Sequence, residues 1–103
     1  MPTEKSVIKT SAVKTASALI RTGKGQLHSI LLCCDGTNAT TISVYDGIND
    51  SGSTFVVQAA VIPGAQTAFY MGFNPARRFE TGCYVKVAVA GGGSCSYTVD
   101  YNG

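Results

Sequence analysis

Residues 83–101 read CYVKVAVAGGGSCSYTVDY, and their side chains alternate with a period of two on both sides of a glycine run. The odd positions are apolar or bear a thiol: Cys83, Val85, Val87, Val89, Cys95, Tyr97, Val99 and Tyr101. Such alternation predicts two β-strands, each with one buried face. Glycines 91–93 suit a turn, because glycine adopts positive φ at little cost. We therefore predict a hairpin with a three-residue loop, or a five-residue loop in the same register, which pairs odd with odd positions.

The preceding segments follow the same pattern with less contrast. Strands are predicted at 12–22, 26–34, 39–46, 54–62 and 66–73, with turn residues such as Gly, Asn, Asp and Pro between them. A loop with Pro75 and the pair Arg77 and Arg78 then leads into the final hairpin. Seven or eight short strands at this spacing predict an all-β fold, a single antiparallel β-sandwich of jelly-roll or Greek-key type. We assign residues 1–10 to an extended N-terminal arm and residues 11–103 to the sandwich.

Length and charge limit the kinds of function that this chain can have. Its 103 residues suit one domain, and only 14% of them are charged. A surface with so few charges is explained equally well by a partner that covers it or by Ser, Thr and Gly in place of charges. Residues 1–24 hold five basic residues against one acid, and the remainder holds three against five. Because these basic residues are dispersed, we expect the arm to dock on an acidic protein surface and not on nucleic acid.

The N-terminal segment carries no targeting signal. Residues 1–5, MPTEK, are polar and lack the apolar region of a signal peptide. No run approaches the roughly 18 apolar residues of a membrane span. We therefore expect a protein made in the cytoplasm, not secreted, with no membrane partner.

The four cysteines raise the question of a disulfide or a metal site. Cys33 and Cys34 are adjacent, so on a strand they point to opposite faces. On the predicted hairpin Cys95 lies beside Val89, which places it roughly 20 Å from Cys83, beyond disulfide reach. No C-x-x-C occurs, and one histidine cannot complete a zinc set. We interpret the cysteines as free, small core residues and expect neither metal nor cofactor.

No group of residues has the spacing of a catalytic site. His28 is the only histidine, and no motif links it to a nucleophile or an acid, so we assign it a structural role. The segment 46–51 contains Asp46, Asn49 and Asp50 but lacks the spacing of a calcium loop and its bidentate Glu. The glycine-containing runs lack the phosphate-loop spacing. The sequence therefore predicts no catalytic residue and a protein that is not an enzyme.

Five residues are candidates for contact with a partner. Lys5 and Lys9 lie in the arm, and Arg77 with Arg78 lies in the predicted loop, where the pair is either solvated or bound to an acidic neighbour. Tyr84 falls on the polar face of its strand and is the best single candidate for a buried interface. Four further aromatic residues are interpreted mainly as core or cross-strand pairs, with an exposed aromatic platform as the alternative: Tyr45, Phe69, Tyr70 and Phe73.

Several turn and strand motifs together resemble a known class of proteins. They are SVYDG at 43–47, NDSG at 49–52, TFVVQAAVIPG at 54–64, FYMGF at 69–73, TGCYV at 81–85 and YTVDY at 97–101. In this pattern, which covers roughly residues 20–102, the chain resembles small β-sandwich virion structural proteins of tailed bacteriophages. It departs from the class at Cys83, where an aliphatic residue is usual, and in its basic arm. The resemblance implies an oligomeric capsid-decoration or tail component and supplies no catalytic residues.

These observations lead to one expected function and two alternatives. We expect a capsid-decoration (cement) subunit, located in the virion, that joins neighbouring major capsid proteins and forms a homo-oligomer. A tail, neck or fibre subunit of the same particle is the first alternative, and its partners would be other virion proteins. A carbohydrate-binding module is an alternative of another class, although such sites usually display Trp, which is absent here.

Overall fold

A computed structural model describes residues 7–51, 54–63, 65 and 67–103. Within these residues the chain forms eight β-strands. They are β1 (Lys9–Thr10), β2 (Ala18–Thr22), β3 (Gly25–Cys34), β4 (Thr40–Asp46), β5 (Phe55–Ile62), β6 (Ala68–Phe79), β7 (Gly82–Val89) and β8 (Cys95–Asn102). The expectation of an all-β domain of seven or eight strands is confirmed.

The strands form two antiparallel four-stranded sheets that pack against each other. Sheet A has the order β1-β8-β3-β6, and sheet B has the order β2-β7-β4-β5. This is the strand order of an eight-stranded jelly roll, a sandwich built from two Greek keys. The prediction of a single antiparallel sandwich of this type is confirmed.

The predicted hairpin at the end of the chain is wrong in its pairing, although its alternation is right. β7 pairs with β2 and β4 in sheet B, whereas β8 pairs with β1 and β3 in sheet A. A 3₁₀ turn, Ala90–Gly92, carries the chain from one sheet to the other, with φ of 62° at Gly91 and 72° at Gly92. The apolar odd positions of the two strands therefore face each other across the core instead of lying side by side.

The core lies between the sheets and consists mainly of these alternating residues. Its fully or almost fully buried apolar side chains are Leu27, Ile30, Leu32, Ile42, Val44, Val56, Val57, Ile62, Phe79, Cys83, Val85, Cys95, Tyr97 and Val99. Burial of a large apolar side chain contributes about 1.5–3 kcal/mol each, so this set drives the packing of the sandwich. The hydroxyl of the buried Tyr97 donates a hydrogen bond of 2.8 Å to the carbonyl of Ala16, which satisfies its polar end.

Two predicted element boundaries need correction. Arg77 and Arg78 do not lie in an irregular loop, because β6 continues to Phe79. Residues 73–76 form an insertion in this strand, opposite the step from Leu27 to Ser29 of β3. Pro75 is tolerated there because β6 is an edge strand. At the other boundary, the strand predicted from residue 12 begins only at Ala18, and the segment before it forms an isolated bridge from Lys14 to Tyr97.

The end of the predicted N-terminal arm belongs to sheet A. Lys9 pairs with Tyr101 and Thr10 pairs with Asp100, so the sandwich includes these two residues. The Thr10 hydroxyl also donates a 2.7 Å hydrogen bond to the Asp100 carboxylate. Residues 1–6 lie outside the described part of the chain.

Candidate interaction surface

The outer face of sheet B carries one line of large side chains that crosses all four strands. Leu19 on β2 is opposite Tyr84 on β7, Tyr84 is opposite Tyr45 on β4, and Tyr45 is opposite Phe55 on β5. We call these four residues the aromatic row. Since neighbouring strands are about 4.8 Å apart, the row runs roughly 14 Å across the sheet.

The members of the row are in contact and remain accessible. The ring centroids of Tyr45 and Phe55 are 4.8 Å apart, and those of Tyr45 and Tyr84 are 6.5 Å apart in an edge-to-face arrangement. Leu19 is 41% exposed and Phe55 is 38% exposed, while both tyrosines are half-buried. Tilted and edge-to-face pairs of this kind are favourable by about 0.5–1.5 kcal/mol beyond area burial. The row is therefore an ordered apolar surface that solvent can reach.

Asp46, at the end of β4, fixes the turn that begins the neighbouring strand β7. Its carboxylate accepts hydrogen bonds from the backbone N–H groups of Thr81 at 2.8 Å, Glu80 at 3.0 Å and Gly82 at 3.4 Å. Burial alone raises the pKa of Asp46, but these hydrogen bonds outweigh it, and the pKa lies below its usual value. The carboxylate thus holds the ends of β4 and β7 in register next to the row.

Gly82 allows the close approach of three chain segments at this turn. A Cβ atom at position 82 would lie 2.6 Å from the carbonyl oxygen of Gly47 and 3.0 Å from that of Arg21. The backbone N–H of Gly47 donates to the Gly82 carbonyl at 3.2 Å. The sequence motifs YDG at 45–47 and TGCY at 81–84 therefore lie against each other. Asp46 accepts hydrogen bonds from the turn, and Gly82 permits the close approach of the Gly47 carbonyl.

An ion pair lies beside the aromatic row. The Lys86 ammonium is 3.2 Å from the Asp50 carboxylate, and both side chains are about half exposed. The hydrogen bond and charge of Asp50, followed by nearby Tyr45, raise the pKa of Lys86. An exposed pair of this kind adds little stability, so it leaves both charges available to a partner.

Among the described residues, the acidic side chains have bonding partners, whereas three of the lysines do not. Each acid has a local partner: Asp35 binds its own loop, Asp46 the Gly82 turn, Asp50 the Lys86 ammonium, Glu80 the Arg78 guanidinium, and Asp100 the hydroxyls of Thr10 and Ser29. By contrast, the ammonium groups of Lys9, Lys14 and Lys24 have no hydrogen-bond or ion-pair partner among these residues. The unpaired charge of this part of the chain is therefore positive.

The candidate contact residues do not form a single patch. Lys9 lies on β1 and Arg78 on β6, at opposite edges of sheet A, whereas Tyr84 lies on sheet B. Arg77 has internal partners: it donates a 2.9 Å hydrogen bond to the Val56 carbonyl and lies 4.9 Å from the Phe73 ring centroid. Arg78 is exposed and 3.8 Å from Glu80. Lys5 lies outside the described residues.

Sequence reasoning found Tyr84 but missed its neighbours in the row. Leu19 and Phe55 were assigned only to strands, and Tyr45 mainly to cross-strand packing. The alternation of β4 does place Tyr45 on the outer face with Tyr84. However, the positions of Leu19 and Phe55 depend on which strands are neighbours, and that order is not contained in any single segment.

The histidine, the cysteines and the potential metal ligands considered in the sequence form neither a metal site nor a disulfide among the described residues. His28 lies at a register shift of β3 against both β6 and β8, and its Nε2 atom is buried without a hydrogen-bond partner. The described residues contain no group of three or more His, Cys, Asp or Glu side chains placed to hold a metal ion. Among them there is also no helix with the length and apolarity needed to cross a membrane. All four cysteines are free.

Comparison with known proteins adds no relative. No family model matches the chain, and neither a curated protein nor a solved structure matches it significantly.

Proposed function

We propose that this chain is a structural subunit of a bacteriophage particle, a capsid-decoration (cement) protein that binds neighbouring major capsid proteins through the outer face of sheet B. The observation that carries the proposal is the aromatic row, an ordered apolar line across all four strands of that face. Tyrosine and other aromatic side chains contribute a large share of binding energy at protein interfaces. The choice of a capsid partner rests on the resemblance of the sequence motifs to virion structural proteins.

The charge distribution favours an acidic partner surface. The described residues carry seven basic and five acidic side chains, so a partner meets a net positive charge. Complementary charge accelerates association and sets orientation more than it adds affinity. In this proposal the aromatic row provides the contact energy, and the net positive charge favours association with an acidic capsid surface.

The fold is compatible with this proposal without establishing it. Jelly rolls occur in viral capsid proteins and also in lectins. A fold shared by such different proteins does not determine function, so the choice between them depends on the surface.

The first experiment measures where the protein is in its native lysate and how many copies each particle holds. DNA-filled particles are purified by sedimentation, and the protein is quantified against the major capsid protein. Hundreds of copies per particle are expected for a decoration subunit. A few to a few dozen copies would instead indicate a tail, neck or fibre subunit, and absence from all heavy fractions would reject both virion functions.

A carbohydrate-binding module is the second candidate, and one observation favours it. Tyr45, Phe55 and Tyr84 place aromatic rings on an open sheet face beside the Asp50 carboxylate. Rings next to a hydrogen-bonding acid suit the apolar face and hydroxyl groups of a sugar. A glycan array decides the matter: specific binding that is lost in Tyr45→Ser would support the module, and no binding would remove it.

A further inference from the structure

Cys34 and Cys95 are direct cross-strand partners at the end of sheet A. Cys34 is the last residue of β3, Cys95 is the first residue of β8, and the two are opposite each other in the ladder. The predicted hairpin concealed this relation, because it placed Cys95 beside Val89. Both side chains lie on the inner face, where Cys95 is part of the core and Cys34 packs against it.

The backbone hydrogen bonds show which kind of pair the two cysteines form. The Cys34 N–H donates to the Thr67 carbonyl at 2.9 Å, on the β6 side and away from β8. Two residues after Cys95, Tyr97 exchanges both of its backbone hydrogen bonds with Lys14, each 2.9 Å long, on the side away from β3. Backbone groups at i and i+2 point the same way, so Cys95 also turns its backbone away from β3.

Cys34 and Cys95 are therefore a non-hydrogen-bonded pair, the closer of the two kinds in an antiparallel ladder. Their expected Cα separation of about 4.5 Å lies within the range of about 4.4–6.8 Å that a disulfide requires. Cys33 is opposite Ser96, and by strand alternation its side chain lies on the other face of sheet A. Only one of the two adjacent cysteines thus has the correct geometry.

Reagents in solution can reach this end of the sandwich. An open cleft of ≈ 920 Å³ is lined by Cys34 and Cys95, and Cys33 also borders it. Cys34 is half-buried, whereas Cys95 is only 7% exposed. Burial, followed by nearby Cys34 and Asp35, raises the pKa of the Cys95 thiol. Of the two proposed partners, Cys34 is consequently the thiol that a dissolved reagent meets first.

We propose that Cys34 and Cys95 are a disulfide-forming site that closes when the protein meets a low-molecular-weight disulfide such as oxidised glutathione. The Cys34 thiolate attacks one sulfur of the small disulfide, forms a mixed disulfide and releases one small thiolate. The Cys95 thiolate then attacks the Cys34 sulfur and releases the second. Each protein thiol gives up its proton, and each released thiolate takes one up. The two protein thiols are oxidised to a disulfide, and the small disulfide is reduced to two thiols.

The bond would join strands that already pair in the centre of sheet A. It closes a chain loop of roughly 60 residues, and cross-links over loops of this size restrict the unfolded chain considerably. We expect the oxidised protein to melt on the order of 10 °C higher than the reduced protein. This inference is independent of the proposed function and holds whether or not the chain binds a capsid.

The test is oxidation of the purified chain by oxidised glutathione, followed by alkylation, tryptic digestion and mass spectrometry. Trypsin leaves Cys33 and Cys34 together on residues 25–77 and Cys95 on residues 87–103, so variants must separate the two adjacent thiols. We expect a link between these peptides and a loss of about 2 Da from the intact protein, which is two hydrogens. The link should persist in Cys33→Ser and be absent in Cys34→Ala.

Two results would overturn the proposal. One is a glutathione adduct on Cys34 with Cys95 still free in the folded Cys33→Ser variant, which leaves both proposed thiols in place. The other is an undiminished link in Cys34→Ala, which would assign the bond to Cys33. Circular dichroism of each variant checks the fold, and Cys83→Ala is a matched control, because Cys83 lies at the opposite end of the core.

Discussion

The two outer faces of the sandwich differ in chemistry: hydrogen-bonded polar groups link the strands of sheet A, whereas an apolar row crosses sheet B. On sheet A, Asp100 accepts hydrogen bonds from Thr10 at 2.7 Å and Ser29 at 2.8 Å, which links three strands through polar groups. Its exposed apolar residues, Leu31 at 45% and Tyr70 at 64%, face each other on two strands only. On sheet B the aromatic row continues across all four strands.

The difference shows that exposure alone does not identify a docking surface. Tyr70 is the most exposed of these aromatic residues, yet its ring lies over Gly72, where an added Cβ would be 2.9 Å from it. Thr10, Ser29 and Asp100 of sheet A are already hydrogen-bonded to one another, whereas the row offers ordered rings with one side open. We therefore expect binding to a partner to depend on the outer face of sheet B and not on that of sheet A.

The largest effect is expected from removing the two central tyrosines of the row. Tyr45→Ser combined with Tyr84→Ser should weaken rebinding to particles stripped of the protein by about 1000-fold, since each buried tyrosine at an interface is often worth about 2 kcal/mol. Pelleting at increasing protein concentration measures the affinity. Tyr70→Ser is the matched control on sheet A, and its affinity should change by less than about threefold, as is usual for non-critical contacts.

The opposite result would reverse the assignment. If Tyr70→Ser abolished binding while the sheet B double variant bound normally, the docking face would be sheet A.

A smaller effect is expected on stability from the acids that organise the two faces. Asp46→Ala removes the acceptor for three backbone N–H groups and should lower the free energy of unfolding by about 2–3 kcal/mol. Asp100→Ala removes the acceptor for the exposed Thr10 hydroxyl and the buried Ser29 hydroxyl, both of which can rotate to another acceptor, and should cost about 1 kcal/mol. Urea unfolding gives both values, and an equal or larger loss for Asp100→Ala would contradict this ranking.

The smallest effect is a pH dependence of stability that arises from Asp46. The hydrogen bonds that lower the pKa of Asp46 in the folded state stabilise the protein above the unfolded value near 4. This stability is lost as the pH falls from about 4 through the lower folded pKa. Asp46→Asn lacks the carboxylate. The wild type should therefore exceed this variant in free energy of unfolding by less at pH 3 than at about pH 6.

Urea midpoints measured across this range provide the comparison. Asp35, whose pKa is also lowered by backbone and side-chain hydrogen bonds from Asn38, is present in both proteins and contributes equally to them. A constant difference between wild type and Asp46→Asn at every pH would show that the charge of Asp46 does not matter.

Local patterns in the sequence predicted the strands but not their partners. The alternation from Cys83 to Tyr101 gave both strands and their buried faces correctly, because burial of one face imposes a period of two in any sheet. It could not distinguish a hairpin from two strands facing each other across the core, since both arrangements bury the same residues. Pro75 and Arg77 indicated a loop because their residue types are unfavourable in central strands, and β6 is an edge strand.

The candidate sites could be predicted only in part, because the sequence does not show which strands are neighbours. Tyr84 was identified from its own strand, as an aromatic residue on a polar face. Phe55 and Leu19 join it only through the strand order of sheet B, and Cys95 meets Cys34 only because β8 leaves β7 for sheet A. Both sites are formed by segments that are distant in the sequence, and local alternation does not predict such contacts.

The position of β8 also governs when this protein can fold during its synthesis. β8 lies between β1 and β3 in sheet A, so the ribosome makes this inner strand after the seven other strands described. Until residues 95–102 emerge, β1 has no partner and β3 has one unpaired edge, which is a surface that favours aggregation. Sheet A therefore cannot be completed until residues 95–102 have been synthesised.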